Sequence, residues 1–216
     1  MMKAYSLHAI NDLRYEDVEY PECNSGWCIV NVKYSGICSS DVPRILKKGT
    51  YKFPTIPGHE FSGVVCQVAD KENENLIGKH VGVFPLIPCK KCEQCMEGNY
   101  EMCSHYDYIG SRRDGGFAEY VAVPIWNLVE LPSEIDLKEA AMMEPLAVAL
   151  HAVKQANINY EKKVAVVGTG LIAFAIAQWA KLLGAKEVVV LGRSEEKRRI
   201  AAVSYTHLRA HETLMN

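Results

Sequence analysis

The chain has 216 residues, 49% hydrophobic and 23% charged, a balance that supplies a core and excludes intrinsic disorder. A formal net charge of -2 gives no electrostatic case for a nucleic-acid partner or an anionic membrane. Eight cysteines, behind an N-terminus "MMKAYSLHAINDLRYED" with no basic start and apolar run, predict a cytoplasmic protein whose thiols bind metal or stay free.

Over residues 1–150, short apolar stretches such as "KAYSL", "IVNVKYSG", "FSGVVCQV", "HVGVFPL" and "EYVAVP" alternate with Gly, Pro and Asn turns. They predict a β-rich, partly open barrel as a first domain. Within it, "GICSSDVPRI" and "PGHEFSGVV" carry Cys38 and His59, a thiolate and an imidazole of the kind that an open catalytic zinc uses. Taken singly, each is a weak signal, because a cysteine behind a strand is commonly a small core residue. Asp41 strengthens the pair, being close to Cys38 and of the type that holds a metal-bound histidine in one tautomer.

The next segment, "PCKKCEQCMEGNYEMCSHY", gathers Cys89, Cys92, Cys95 and Cys103 in a C-x2-C-x2-C-x7-C pattern. Short intervals bring successive sulfurs to adjacent corners of a tetrahedron, so the pattern predicts one Zn2+ with every position filled by protein. Such a site staples a loop and does no chemistry. A ferredoxin-type cluster also opens with C-x2-C-x2-C, but its fourth cysteine follows closely and precedes proline, whereas Cys103 precedes Ser104.

Downstream, "GSRRDGG" offers Arg112 and Arg113, and Arg44 and Lys47 follow the first cysteine segment; arginine forks suit phosphate oxygens, and solvated surface charge is the plain alternative. Glu144, ahead of Pro145 in "MMEPLAV", reads as a helix-start residue. The apolar run 164–180 is shorter than the ~20 residues of a membrane span. It reads instead as a strand, a turn and a helix, with Gly168, Gly170 and Ala173 in the G-x-G-x-x-A pattern that admits a dinucleotide pyrophosphate to a helix N-terminus. After the next strand, "EVVVL", an NAD enzyme commonly has Asp or Glu; here Gly192-Arg193-Ser194 leans toward NADP, with Arg193 available to a 2'-phosphate or to stack on adenine with either cofactor. Residues 151–201 are therefore expected to be part of a Rossmann domain. The last stretch, "AAVSYTHLRAHETLMN", shows no helical period, no glycine turn and no strand, so 202–216 is expected to be a non-native, adapter-like tail.

"GHEFSG", the four-cysteine lobe, "DGGFAEY", "EPLAVALHA" and "VAVVGTGLIA" stand in the order found in zinc-dependent medium-chain dehydrogenases/reductases, and over residues 1 to 201 the chain resembles that family, its sugar-alcohol branch in particular. The resemblance implies a GroES-like first domain, a Rossmann second one, two zincs per chain and NAD or NADP. It implies Glu144 as third catalytic ligand beside Cys38 and His59, Glu60 as a mobile carboxylate near the metal, Ser40 as the start of a proton relay and Asp41 as the group orienting His59. The implied substrate is a polyol or polyol phosphate of the galactitol 1-phosphate kind, oxidised by a homo-oligomer, with a sorbitol- or threonine-type substrate as the alternative. A chain ending in so little of the cofactor domain is expected to be inactive by itself. Two other classes stay open: a non-catalytic zinc-binding module, and a zinc-free reductase of the same fold. Metal content of two, one or no zinc per chain separates the three.

Overall fold

The computed structural model describes residues 1–204 and 209–211 and opens with an antiparallel hairpin, β1 (Met2–Ala9) and β2 (Asp12–Val18). The two-residue turn places Asn11 at φ 64°, a left-handed conformation that asparagine tolerates. A five-stranded antiparallel sheet follows, built from β3 (Trp27–Gly36), β4 (Glu60–Val68), β5 (His80–Val83), and, after the short pair β6 (Leu86–Ile87) and β7 (Asp107–Tyr108), from β8 (Tyr120–Pro124) and β9 (Leu128–Glu130). The order β8-β3-β4-β5-β9 leaves β8 and β9 as edges, so the barrel is partly open.

Alternation along the strands builds the core. Cys28 and Val30 of β3, Val81 and Val83 of β5, and Val121 and Val123 of β8 turn to one face and meet Phe61 and Val65 of β4. Each such side chain contributes about 1.5–3 kcal/mol by leaving water. Pro85 interrupts "HVGVFPL", which is why that stretch forms two strands, β5 and β6, and not one. The stretch "DLRYEDV" carries no clean apolar face and is mostly exposed, so β2 had no sequence signal.

The chain divides into two compact units between Glu144 and Pro145, inside the helix Met143–Gln155 and ahead of the expected boundary after residue 150. In the second unit β10 (Lys163–Val167), β11 (Glu187–Leu191) and β12 (Arg209–His211) pair in parallel in that order. Small residues Ala177 and Ala180 let the helix Leu171–Leu182 lie close on Val166, Val188 and Val190. Trp179 Nε1 donates to the Leu146 carbonyl at 3.0 Å, which ties this helix to the start of the preceding one.

Two expectations about the end of the chain change. The helix Glu195–Ser204 continues past residue 201, and Arg209–His211 pairs with Val189–Leu191, so a strand does follow β11. Three residues are enough for a parallel ladder carried by the neighbouring strand, which is too short a run for periodicity to reveal. The rest of the proposed non-native tail, 205–208 and 212–216, lies outside the described residues. Among the described residues no helix is long and apolar enough to cross a membrane.

Candidate metal centre and cofactor turn

Strand register brings the first site together. Gly36 pairs with Glu60 at the end of the β3/β4 ladder, so the chain leaving β3 toward Cys38 runs beside the chain that enters β4 through His59. A Cβ at Gly36 would stand 2.6 Å from Glu60 Oε2, so only glycine leaves the carboxylate its place. Gly58 has φ +95° and its carbonyl would lie 2.1 Å from a Cβ at Gly115, which explains why "PGHE" and "DGG" both need glycine.

Donor atoms of Cys38, His59 and Glu60 all lie within 4.8 Å of one another. The His59 side chain is buried and its Nδ1 has no hydrogen-bond partner, and a soft thiolate, an imidazole and a carboxylate together form a donor set suited to zinc. These residues fit the ion. Glu144, the expected third ligand, is outside this triad. Burial first, and the neighbouring charge of Glu60 second, push the Glu144 carboxyl up to about 7, while a hydrogen bond from Tyr108 opposes them. Glu60, expected as a mobile carboxylate near the metal, joins Cys38 and His59 because its pairing with Gly36 sets it beside the loop that carries Cys38.

Asp41 is fully buried. Its Oδ2 accepts from the backbone N–H of Cys38 at 3.0 Å and its Oδ1 from Arg44 at 2.6 Å, fixing the Cys38 loop. Asp41 Oδ1 lies 3.6 Å from His59 Nδ1, too long for a hydrogen bond, so the expected orienting contact is an electrostatic one. Burial, the largest influence, lowers the His59 pKa and keeps the ring neutral, which is the metal-binding form; Asp41 opposes it. Tyr108, edge-on to His59 at 5.8 Å between ring centres, is a neighbour that sequence reasoning missed, since nothing in "YDYIG" marks it. Ser40 is exposed, and its backbone N–H approaches Cys38 Sγ at 3.5 Å.

The four cysteines of the lobe also converge, every Sγ within 4.8 Å of the others. Cys89 and Cys95 are 4.0 Å apart and Cys92 and Cys103 3.9 Å, far beyond a disulfide bond and near the ~3.8 Å that tetrahedral Zn–S bonds of about 2.3 Å impose. Backbone N–H groups at Ser104 and Cys95 pull the Cys92 thiol down to about 6, toward the thiolate a metal needs. Lys90, at φ 57°, turns the loop between the first two cysteines.

In the second unit Gly168 has φ +135° and Ala173 would touch a Cβ there at 3.6 Å. Gly170 caps the helix Leu171–Leu182 in an extended conformation, and a Cβ on it would meet open space, so the turn has room at the helix N-terminus for a phosphate. Gly192 faces Thr169, whose Cγ2 would lie 2.1 Å from an added Cβ; Arg193 is exposed; Ser194 Oγ accepts from the Lys197 N–H at 3.4 Å as a helix cap. The candidate phosphate arginines separate: Arg44 is bonded to Asp41, Arg113 to Asp107, and Arg112 lies between two tyrosine rings.

Residues 24–133 match the model of the alcohol dehydrogenase GroES-like domain. Galactitol 1-phosphate 5-dehydrogenase of Escherichia coli K12 is 42% identical over 172 residues, covering 80% of this chain and 50% of that protein. D-xylulose reductase A of Aspergillus oryzae is 34% identical over 211 residues, 93% of this chain and 59% of the relative. The crystal structure of galactitol-1-phosphate dehydrogenase from Escherichia coli superposes with a TM-score of 0.93 at 36% identity, covering the whole of this chain and 62% of that one. The chain thus spans about half the length of the curated relatives it matches. With the family model covering half the chain, and with a β-rich open sheet carrying the clustered donors, this chain belongs to the alcohol dehydrogenase GroES-like family, the zinc-dependent medium-chain dehydrogenases.

Proposed function

We propose that the protein oxidises a secondary alcohol of a polyol or polyol phosphate, of the galactitol 1-phosphate kind, with hydride passing to NAD or NADP. The observation that carries this reading is the convergence of Cys38, His59 and Glu60 at the end of the β3/β4 ladder. A zinc ion held there would polarise the substrate hydroxyl as a Lewis acid. Cys38 and His59 hold that ion on neighbouring segments, and Asp41, pinned by Arg44, keeps the Cys38 loop in place. Glu144, half-buried near Tyr108 and Glu60, is the third ligand this reading assigns, with Glu60 as the mobile carboxylate beside it. The exposed Ser40 hydroxyl gives a proton a route toward solvent. The closed cysteine lobe carries the second zinc and serves stability. The turn at Gly168, Gly170 and Ala173 receives the pyrophosphate, and Arg193 favours NADP.

Metal analysis combined with kcat/KM for galactitol 1-phosphate, sorbitol and threonine tests the reading. Two zincs per chain and a preference for the phosphorylated polyol are expected; one zinc with no turnover by any longer form of the protein points to a binding module, and no zinc points to a metal-free reductase. Equal or better kcat/KM with NAD overturns the NADP preference.

A further inference from the structure

The three arginines that could meet a phosphate have different partners. Arg44 and Arg113 are each bonded to a carboxylate, Asp41 and Asp107. Among the described residues Arg112 has no carboxylate partner. Its guanidinium carbon lies 4.1 Å from the ring centre of Tyr51 and 4.5 Å from that of Tyr106, and its Nε is buried without a hydrogen-bond partner. Tyr51 lines a cleft of about 420 Å³ together with Ser40, Arg44, Lys48 and Thr50, and no acidic residue lines it. The cleft begins two residues from Cys38. Thr50 Oγ1 donates to the Ser111 carbonyl, which holds the Arg112 turn against Thr50 and Tyr51 at the cleft, and Tyr106 packs on Tyr108, the neighbour of His59, at 6.4 Å. Lys48 ends a five-residue π-helix, Arg44–Lys48, a wide turn closed by the Gly49 N–H on the Arg44 carbonyl at 3.0 Å and of a kind frequent at functional sites.

We propose that Arg112 and Lys48 form the phosphate-binding end of this cleft, reading a phosphate monoester on a substrate whose hydroxyl lies toward Cys38 and His59. The inference rests on the polyol-phosphate reading above. Two rings hold the guanidinium plane, so its fork loses little freedom when it donates to two phosphate oxygens, and Lys48 adds a point charge. Arg44 is neutralised by Asp41, but Lys48 in the cleft and Arg112 beside Tyr51 leave a positive surplus, which selects for a dianion over a neutral polyol.

The test is titration calorimetry of the zinc-loaded full chain with galactitol 1-phosphate, galactitol and inorganic phosphate. R112Q and K48Q each weaken galactitol 1-phosphate binding about tenfold, the loss of one charge-assisted hydrogen bond, and leave galactitol unchanged. R113Q changes neither. Inorganic phosphate binds more weakly than the ester and competes with it. Equal binding of ester and polyol by the unmodified chain, or a loss in R112Q and K48Q that is the same for both ligands, overturns the proposal; inorganic phosphate binding as tightly as the ester overturns a substrate role in favour of an anion site. Lys48 is exposed, so K48Q keeps the test intact should R112Q fail to fold. Phosphate-selective binding without polyol turnover in a full-length form of the protein sinks the dehydrogenase reading and leaves this site standing. Equal kcat/KM for galactitol and its 1-phosphate does the reverse.

Discussion

A single methyl group at position 36 separates two states of the metal centre. Built on Gly36, it meets the far end of the Glu60 side chain at 2.6 Å, and a flexible carboxylate yields by rotating away from Cys38 and His59. Gly36→Ala is therefore expected to halve the zinc content, from two to one per chain, with little change in melting temperature; retention of both zincs in metal analysis contradicts it. A second residue sets an alkaline limit. Cys28 is fully buried, its thiol donates to the Val123 carbonyl at 3.4 Å, and burial, with smaller effects from Cys23 and Cys66, pushes it up to about 12. An unfolded thiol ionises near 8.5. The folded chain keeps a proton that the unfolded chain releases, so the stabilisation is complete below about 8.5 and is lost as pH rises toward 12. Denaturant melts at pH 7 and pH 10 should differ by roughly 2 kcal/mol from this group, and Cys28→Ala should remove that difference. An unchanged pH dependence in the variant would refute the assignment.

At the level of elements, the cysteine lobe reports on itself through Trp126. That indole packs on Tyr100 at 5.0 Å and Phe84 at 6.1 Å and lies under Lys90 Nζ at 4.5 Å, so it feels the loop between Cys89 and Cys92. Metal binding contributes folding free energy directly to such a loop. A chelator should shift tryptophan emission to the red in the unmodified chain and much less in Trp126→Phe, which retains Trp27 and Trp179; equal shifts place the change elsewhere. Gly192 and Thr169 form a similar local pair. Gly192→Ala should destabilise by about 1–3 kcal/mol through the clash with Thr169 Cγ2, and Thr169→Ser in the same chain should restore the melting temperature. Absence of rescue would mean that the penalty arises from another contact. The convergence of the lobe cysteines follows from spacing alone, because fifteen consecutive positions, 89 to 103, contain every ligand. The placement of Glu60 beside Cys38 and His59 does not, because it depends on how β3 registers against β4 across a loop of more than twenty residues. Nor is the Arg112 clamp readable: Tyr51 and Tyr106 are far apart in sequence, and tyrosine on a loop carries no periodic signal.

Across the whole molecule, two units with separate cores match two kinds of pattern in the sequence. Alternating apolar stretches gave an antiparallel sheet whose buried residues come from four strands, and a valine-rich strand before a glycine turn gave the parallel one. What escaped was short or solvated: β2, with one apolar residue in every few, and the three-residue β12, paired only because β11 offers it a ladder. One consequence concerns how this chain behaves in concentrated solution. β10 pairs with β11 on one side and, among the described residues, with no strand on the other, and Val167 at its end is 81% exposed. An unpaired strand of sequence "KVAVV" offers its peptide groups to any second molecule that presents a similar border. Colloidal stability should accordingly depend on that border: light scattering is expected to rise with concentration for the unmodified chain and to fall when Val167 is replaced by lysine, while the melting temperature stays the same.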